Sequence, residues 1–251
     1  MHLLRKFRAL LAVYSECSHW PSVAAARIGL GDGGRMLRLR NGLELQVRDS
    51  LMANWGQFFE AAIADVYRVS TAEADIIVDV GANLGAFSCL AAWTHSEARI
   101  YAFEPQSDQA AMLRHNLERN RLRNVVVTQA PVTADGREVI LYHQSNDGAS
   151  NIYRSGDGRS VPLASVTLDS VPLADAESVL FKLDCEGAEG ELIEWIAAAL
   201  SQMPRKVSIA CEYHPWCQVP IEESVKRLSS ANFAVSVESH FSESYLFARR
   251  G

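Results

Sequence analysis

Apolar positions along this chain recur with two different periods, and the change from one to the other marks out the elements. Between residues 35 and 47, Met36, Leu37, Leu39, Leu43, Leu45 and Val47 alternate around Asn41-Gly42. That pattern predicts a β-hairpin, because Asn-Gly suits the tight turn whose twist matches paired strands. Trp55, Phe58, Phe59, Ile63 and Tyr67 then fall at helical spacing. From residue 76 the chain switches repeatedly between short apolar runs and helix-like segments. Strands are expected at 76–80, 100–104 and 125–129, with a helix beginning near Leu84 and another from Ser107 to Arg119. Ser107 and Asp108 suit the start of the second helix.

Two further strands, 179–183 and 207–211, follow, and 233–237 with 245–248 read as a closing hairpin. Repeated strand-helix units imply a parallel sheet with right-handed crossovers. Residues 144–160, which include Asn146, Gly148, Ser150, Asn151, Gly156 and Gly158, form the longest polar, glycine-rich stretch and predict a loop. The front section reads as a cap leaning on the sheet, either packing at its edge or covering a substrate. No internal repeat is visible.

The first predicted strand ends in Asp79-Val80-Gly81-Ala82-Asn83-Leu84-Gly85, and the second ends in Phe103-Glu104-Pro105. A parallel strand feeding a glycine turn brings backbone N–H groups and a helix N-terminus to the carboxyl edge of the sheet, where open α/β folds bind ligands. Glu104 would accept hydrogen bonds from a ribose diol. A dinucleotide fingerprint needs a middle glycine so that the backbone can approach a pyrophosphate, and Asn83 stands where that glycine would be. Asp79 would repel phosphate and attract an amino group. Adenosine carrying a zwitterionic amino-acid tail therefore fits this turn better than a dinucleotide, which favours S-adenosylmethionine.

Composition narrows the picture. With 251 residues, 48% of them hydrophobic, the chain can bury one good-sized core, and a second independent domain is not expected. A formal net charge of −6 speaks against nucleic acid as substrate, since its binders present a clustered basic face. Cys17, Cys89, Cys185, Cys211 and Cys217 show neither Cys-x-x-Cys spacing nor an even disulfide framework, which suits a reducing cytoplasm. They also lack the cysteine cluster that radical chemistry with the same cofactor would need. No apolar run reaches the ~18 residues of a membrane span. The basic and apolar start, Leu3 to Tyr14, predicts a packed N-terminal helix, with weak membrane-surface contact as the first alternative and a signal peptide, disfavoured by its short apolar core, as the second.

Asp79 to Gly85, Phe103-Glu104-Pro105, Thr167-Leu168-Asp169 and above all Lys182-Leu183-Asp184-Cys185-Glu186-Gly187-Ala188-Glu189 together resemble the FkbM-type S-adenosylmethionine-dependent methyltransferases over roughly residues 74 to 214. The resemblance implies a Rossmann-like class I α/β fold, a sheet of about seven strands with the last antiparallel and helices on both faces. It divides the chain into a helical and hairpin extension, 1–70, and a methyltransferase domain, 71–251. It also implies O-methylation of a hydroxyl on a small metabolite, glycan or lipid-linked natural-product intermediate.

Methyl transfer to a hydroxyl needs an aligned acceptor and a group to take its proton. Strand alternation puts Lys182 and Asp184 on one side and Leu183 and Cys185 on the other. Asp184 is the expected catalytic or acceptor-orienting carboxylate, also bordering the cofactor, with Lys182 holding its geometry or charge. A buried Lys182 would need an acidic partner, and Asp184 or Glu212 is the candidate. His214, two residues beyond Glu212, is the general-base candidate by its ordinary pKa. Glu186 and Glu189 suit either the site or simply the start of the next helix, where carboxylates complement its dipole.

The expected cofactor residues are Asp79, Gly81, Asn83, Gly85 and Glu104, with Gln129 near adenine and Ser150 in the polar stretch. Family members carry an alanine-rich run and Ser-Asp after the third strand; here Ala130-Pro131-Val132-Thr133-Ala134 intervenes before Asp135, which weakens the assignment of Gln129. No metal is required by this reading, although Asp184, Glu186, Glu212 and His214 would also suit Mg²⁺ or Mn²⁺. The rival functions are an NAD(P)-dependent oxidoreductase, disfavoured by Asn83, and a non-catalytic partner that kept the fold.

Overall fold

The computed structural model describes residues 11–143, 150–151, 160–240 and 243–251. The front section contains helix α1 (11–16), α2 (Trp20–Arg27), the hairpin β1 (Met36–Arg38) and β2 (Glu44–Gln46), and the short helix α3 (Trp55–Phe58). Leu37 faces Leu45 across the hairpin, both fully buried, and Gly42 takes the left-handed conformation its turn requires. Where one helix was expected through Ile63, α3 passes into a π turn, Phe59–Ile63, with the Ala64 N–H bonded to the Phe59 carbonyl. The wider turn buries Phe59, Ala61, Ala62 and Ile63, and Tyr67 lies beyond it rather than on the same helix.

The main body is a seven-stranded sheet. In chain order its elements are β3 (Ile76–Val80), α4 (Ala86–Thr94), β4 (Arg99–Phe103), α5 (Ser107–Arg119) and β5 (Val125–Thr128). After a small three-stranded sheet of β6 (Glu138–His143), β7 (Ser150–Asn151) and β8 (Ser160–Ala164) come β9 (Ser178–Leu183), α6 (Glu189–Ala198), β10 (Lys206–Tyr213), α7 (Ile221–Ser230), β11 (Ala234–His240) and β12 (Glu243–Arg250). The strand order is β11-β12-β10-β9-β3-β4-β5. Strands β10, β9, β3, β4 and β5 pair in parallel, and β12 runs antiparallel between β10 and β11. This is the expected Rossmann-like architecture.

Both faces of the central strands are covered, so each reads as a nearly continuous apolar run. Ile77, Ile100 and Leu180 point to one face, where α4, α5 and the front section share a single core with them. Ile76, Val78, Val80, Phe181 and Leu183 point to the other, against Leu192, Ile193 and Ile196 of α6. The front section is also tied to α5 by polar groups. The side-chain amides of Asn116 and Asn120 exchange hydrogen bonds with the backbone of Gln46 and Glu44, as a neighbouring strand would.

The long polar stretch differs from expectation at its ends. Ser150-Asn151 pairs with Tyr142-His143, and residue 160 begins β8, which pairs along β6. Residues 144–149 and 152–159 of the expected loop lie outside the described residues. β8 alternates between exposed and half-buried positions, so its apolar signal in sequence is weak.

Candidate active site

The strand order reverses at β3, with β4 and β5 added on one side and β9 and β10 on the other. Ligands of open α/β sheets bind in the crevice at such a switch point, beyond the carboxyl ends of the strands. A cavity opens there, lined by Gly81 and Asn83 after β3, Glu104 after β4, Asp184 after β9, and Glu212 and His214 at the end of β10. Seven residues of the sequence-derived set therefore do come together, Lys182 reaching the inner end of the same cleft.

The floor is a close crossing of two turns. A Cβ on Gly81 would lie 1.8 Å from the Asp184 carbonyl oxygen, and Gly81 has φ +78°. The Asp184 N–H donates to the Val80 carbonyl at 3.1 Å, so the β3 and β9 turns are hydrogen-bonded as well as in contact. Gly85 caps α4 with φ +91°. Asn83 adopts φ +50°, a conformation Asn tolerates better than most residues. Its N–H donates to Glu104 at 2.8 Å, and the Gln106 N–H donates to the other carboxylate oxygen at the same distance. Burial raises the Glu104 pKa to about 7, against the lowering effect of those two hydrogen bonds.

Asp79 does not line the cavity, contrary to the sequence reading. It is fully buried, and its carboxylate accepts from Ser88 at 2.6 Å and pairs with Lys182 at 3.1 Å. The physical reason is register: Asp79 and Lys182 are direct neighbours in the parallel β3–β9 ladder and so project from the same face. The principal partner of Lys182 is thus Asp79 rather than Asp184 at 3.4 Å, and Glu212 takes no part. Lys182 also donates to the Gly81 carbonyl at 2.8 Å, linking the strand pair to the glycine turn. Burial disfavours its charge, but Asp79 and Asp184 more than restore it and its pKa is raised.

The opposite rim is acidic. Tyr67 places its hydroxyl 3.0 Å from both Asp184 and Glu212, and Tyr245 donates to Glu212 at 3.1 Å. Burial first, then the charges of Asp184 and Glu60, lifts the Glu212 pKa to about 8. His214 is 5% exposed, and its Nδ1 lies 2.8 Å from Glu189. Burial works against the imidazolium, yet Glu189, Asp184 and Glu186 outweigh it and raise the pKa to about 10. The raised pKa favours the imidazolium, which suits His214 less well to the general-base role that its ordinary pKa suggested. Glu189 itself accepts from the N–H groups of Cys185 and Gly187 and is fully buried, an anchor for the turn.

Gln129 is exposed and lies outside the cavity lining, where Ala130, Pro131 and Val132 stand instead. Ser150 lies on β7 in the small sheet. The residues that sequence reasoning missed are Glu60, Tyr67 and Tyr245. Glu60 and its neighbours Gly56 and Gln57 carry the front section into the cavity wall. Burial, with Asp184 and Glu243 nearby, raises the Glu60 pKa to about 7. A lone Glu among the aromatic residues of the front helix was the one signal for it in the chain.

Solved methyltransferase structures are similar to this one. A structure of an O-methyltransferase family protein from Burkholderia thailandensis is 13% identical, with 81% of this chain and 61% of that chain covered at a TM-score of 0.47. A SAM-dependent O-methyltransferase from Thermotoga maritima is 14% identical, covering 86% and 77% at 0.43. A precorrin-6y C5,15-methyltransferase from Geobacter metallireducens GS-15 is 14% identical, covering 75% and 87% at 0.46. Among curated proteins none matches the sequence. The sequence model described as Methyltransferase FkbM domain matches residues 79–248, from the first sheet strand to the last. This chain belongs to the FkbM methyltransferase family, whose cofactor is S-adenosylmethionine.

Proposed function

We propose that this methyltransferase acts on oxygen, methylating a hydroxyl of a small metabolite, glycan or lipid-linked intermediate. The observation that carries the reading is one cavity with two chemically different walls. Gly81, Asn83 and Glu104, at the ends of β3 and β4, line one part of it, and the carboxylates of Asp184, Glu212 and Glu60 line another.

The first wall fits the cofactor. Gly81 leaves room where any side chain would strike Asp184, and Glu104 keeps acceptor capacity beyond its two backbone hydrogen bonds, suited to a ribose diol. When bound, S-adenosylmethionine supplies an electrophilic methyl group on a sulfonium sulfur that departs with the bonding electron pair. The chain's own residues do the rest. Asp184, held by Lys182 and Tyr67, accepts a hydrogen bond from the acceptor hydroxyl and fixes its direction. As the new O–C bond forms, the hydroxyl proton passes to a rim carboxylate. Glu60 and Glu212, with pKa values of about 7 and 8, are matched to that task near neutral pH. Lys182 and the His214 imidazolium stabilise the partial negative charge that grows on the acceptor oxygen as its proton leaves.

The acidic rim would repel a phosphate backbone, which supports a substrate other than nucleic acid. Among the described residues no helix is long and apolar enough to cross a membrane. Methyl-labelled S-adenosylmethionine incubated with the protein and a cell extract tests the assignment. Recovery of label in methyl ethers is the expected result, and label found on nitrogen or carbon would refute it.

A further inference from the structure

His214 is held in an unusual way for a residue facing a ligand cavity. Its side chain is 6% exposed, and Nδ1 is committed to the fully buried carboxylate of Glu189. Nε2 therefore points into the cavity, where it makes no hydrogen bond among the described residues. Three carboxylate oxygens surround it at distances too long for hydrogen bonds: Glu186 at 3.7 Å, and Asp184 and Glu212 at 4.0 Å each. A histidine whose far nitrogen is fixed by a carboxylate, leaving the near one toward converging oxygens, is the usual outer arrangement of a metal-binding imidazole.

We propose that Asp184, Glu212 and His214 Nε2 bind a divalent first-row cation of the Mn²⁺ type, which displaces the proton that Nε2 carries in the metal-free protein, a claim that rests on reading the rim as the acceptor side of the cavity. One donor atom from each residue lies within 4.8 Å of the others. Donors held at ~2.1 Å from one ion stand roughly 3 to 3.5 Å apart, so closure needs carboxylate movements of about an ångström. The imidazole donor favours Mn²⁺, Fe²⁺ or Zn²⁺ over Mg²⁺ and Ca²⁺, which prefer oxygen alone. The remaining coordination positions face the cavity. There the ion binds the acceptor hydroxyl oxygen, or both oxygens of a vicinal diol, and lowers the pKa of the bound hydroxyl so that Glu60 can take its proton. Such a site selects acceptors with two adjacent oxygens over simple alcohols.

The experiment is Mn²⁺ binding to the full chain, followed by electron paramagnetic resonance and calorimetry, with and without S-adenosylhomocysteine. Saturable binding of one ion, weakened tenfold or more in Asp184→Asn and Glu212→Gln and unchanged in Glu104→Ala, is expected. Manganese anomalous scattering from soaked crystals of the unaltered protein, which needs no variant to fold, should place the ion among the three side chains. No binding at millimolar Mn²⁺, an ion located elsewhere, or competition between Mn²⁺ and S-adenosylhomocysteine would overturn the proposal. Failure here with intact S-adenosylhomocysteine binding would leave the methyltransferase reading standing, whereas label appearing on nitrogen or carbon would remove that reading independently.

Discussion

The carbonyl oxygen of Asp184 occupies the space that a side chain on Gly81 would need, 1.8 Å from where its Cβ would lie. The turns that follow β3 and β9 are thereby locked together. Gly81→Ala must open that crossing and also hold Ala in a left-handed conformation, itself a cost of roughly 1–2 kcal/mol. The total should exceed about 3 kcal/mol, a fall in Tm of roughly 6–12 °C for a chain of this size. Thermal denaturation followed by circular dichroism measures it, and an unchanged Tm would show that the crossing is looser than described.

Glu104 and Asp184 line the same cavity but should fail differently. Glu104→Ala removes a buried acceptor from the cofactor wall and should weaken S-adenosylhomocysteine binding roughly 10- to 100-fold in calorimetry. Asp184→Asn should leave that affinity within a few-fold and lower kcat by roughly 10²- to 10⁴-fold. Equal loss of cofactor affinity in both variants would mean that Asp184 serves the cofactor alone.

Glu60 and Glu212 have pKa values raised to about 7 and about 8, chiefly by burial. Each is protonated below its pKa and becomes a base only above it, so kcat/KM should rise with pH and level off between about 7 and 8. His214, with its pKa near 10, stays cationic across that window. Glu60→Gln should flatten the lower part of the profile. A profile that instead falls as pH rises from 6 to 8 would exclude a rim carboxylate as proton acceptor.

Lys182 and Asp79 form an ion pair with side chains 3% and 0% exposed. Removing one partner leaves a buried charge, so Lys182→Met should destabilise by about 3–5 kcal/mol, and Asp79→Asn in the same chain should recover part of it. Urea denaturation of the single and double variants reads the coupling. Additive losses would show that the two side chains do not act as a pair.

Much of the fold was legible from the chain because it depends on local rules. The Asn41-Gly42 turn, the helix from Ser107 to Arg119, and the strand-glycine-helix passage at 76–94 follow from turn chemistry and apolar period, and all appear where expected. The π turn after Phe58 was not legible, since helical spacing alone cannot reveal an inserted residue. Nor was the pairing of β6 with β8, because their contact depends on residues 18 to 26 positions apart.

The candidate site divides along the same line. Gly81, Asn83, Glu104 and Asp184 announce themselves by standing at strand ends beside glycine turns. Which buried charges neutralise one another is decided only when strands pair: register set Asp79 directly beside Lys182. Proton affinity is likewise a property of the assembled surroundings. Glu189 and its neighbouring carboxylates raise the pKa of His214, while burial beside other acids raises that of Glu60, an unremarked residue of the front section, to about 7. Sequence determines where the chain can turn and which faces it buries; electrostatic energy depends on distances between residues far apart in the chain, and only folding sets those.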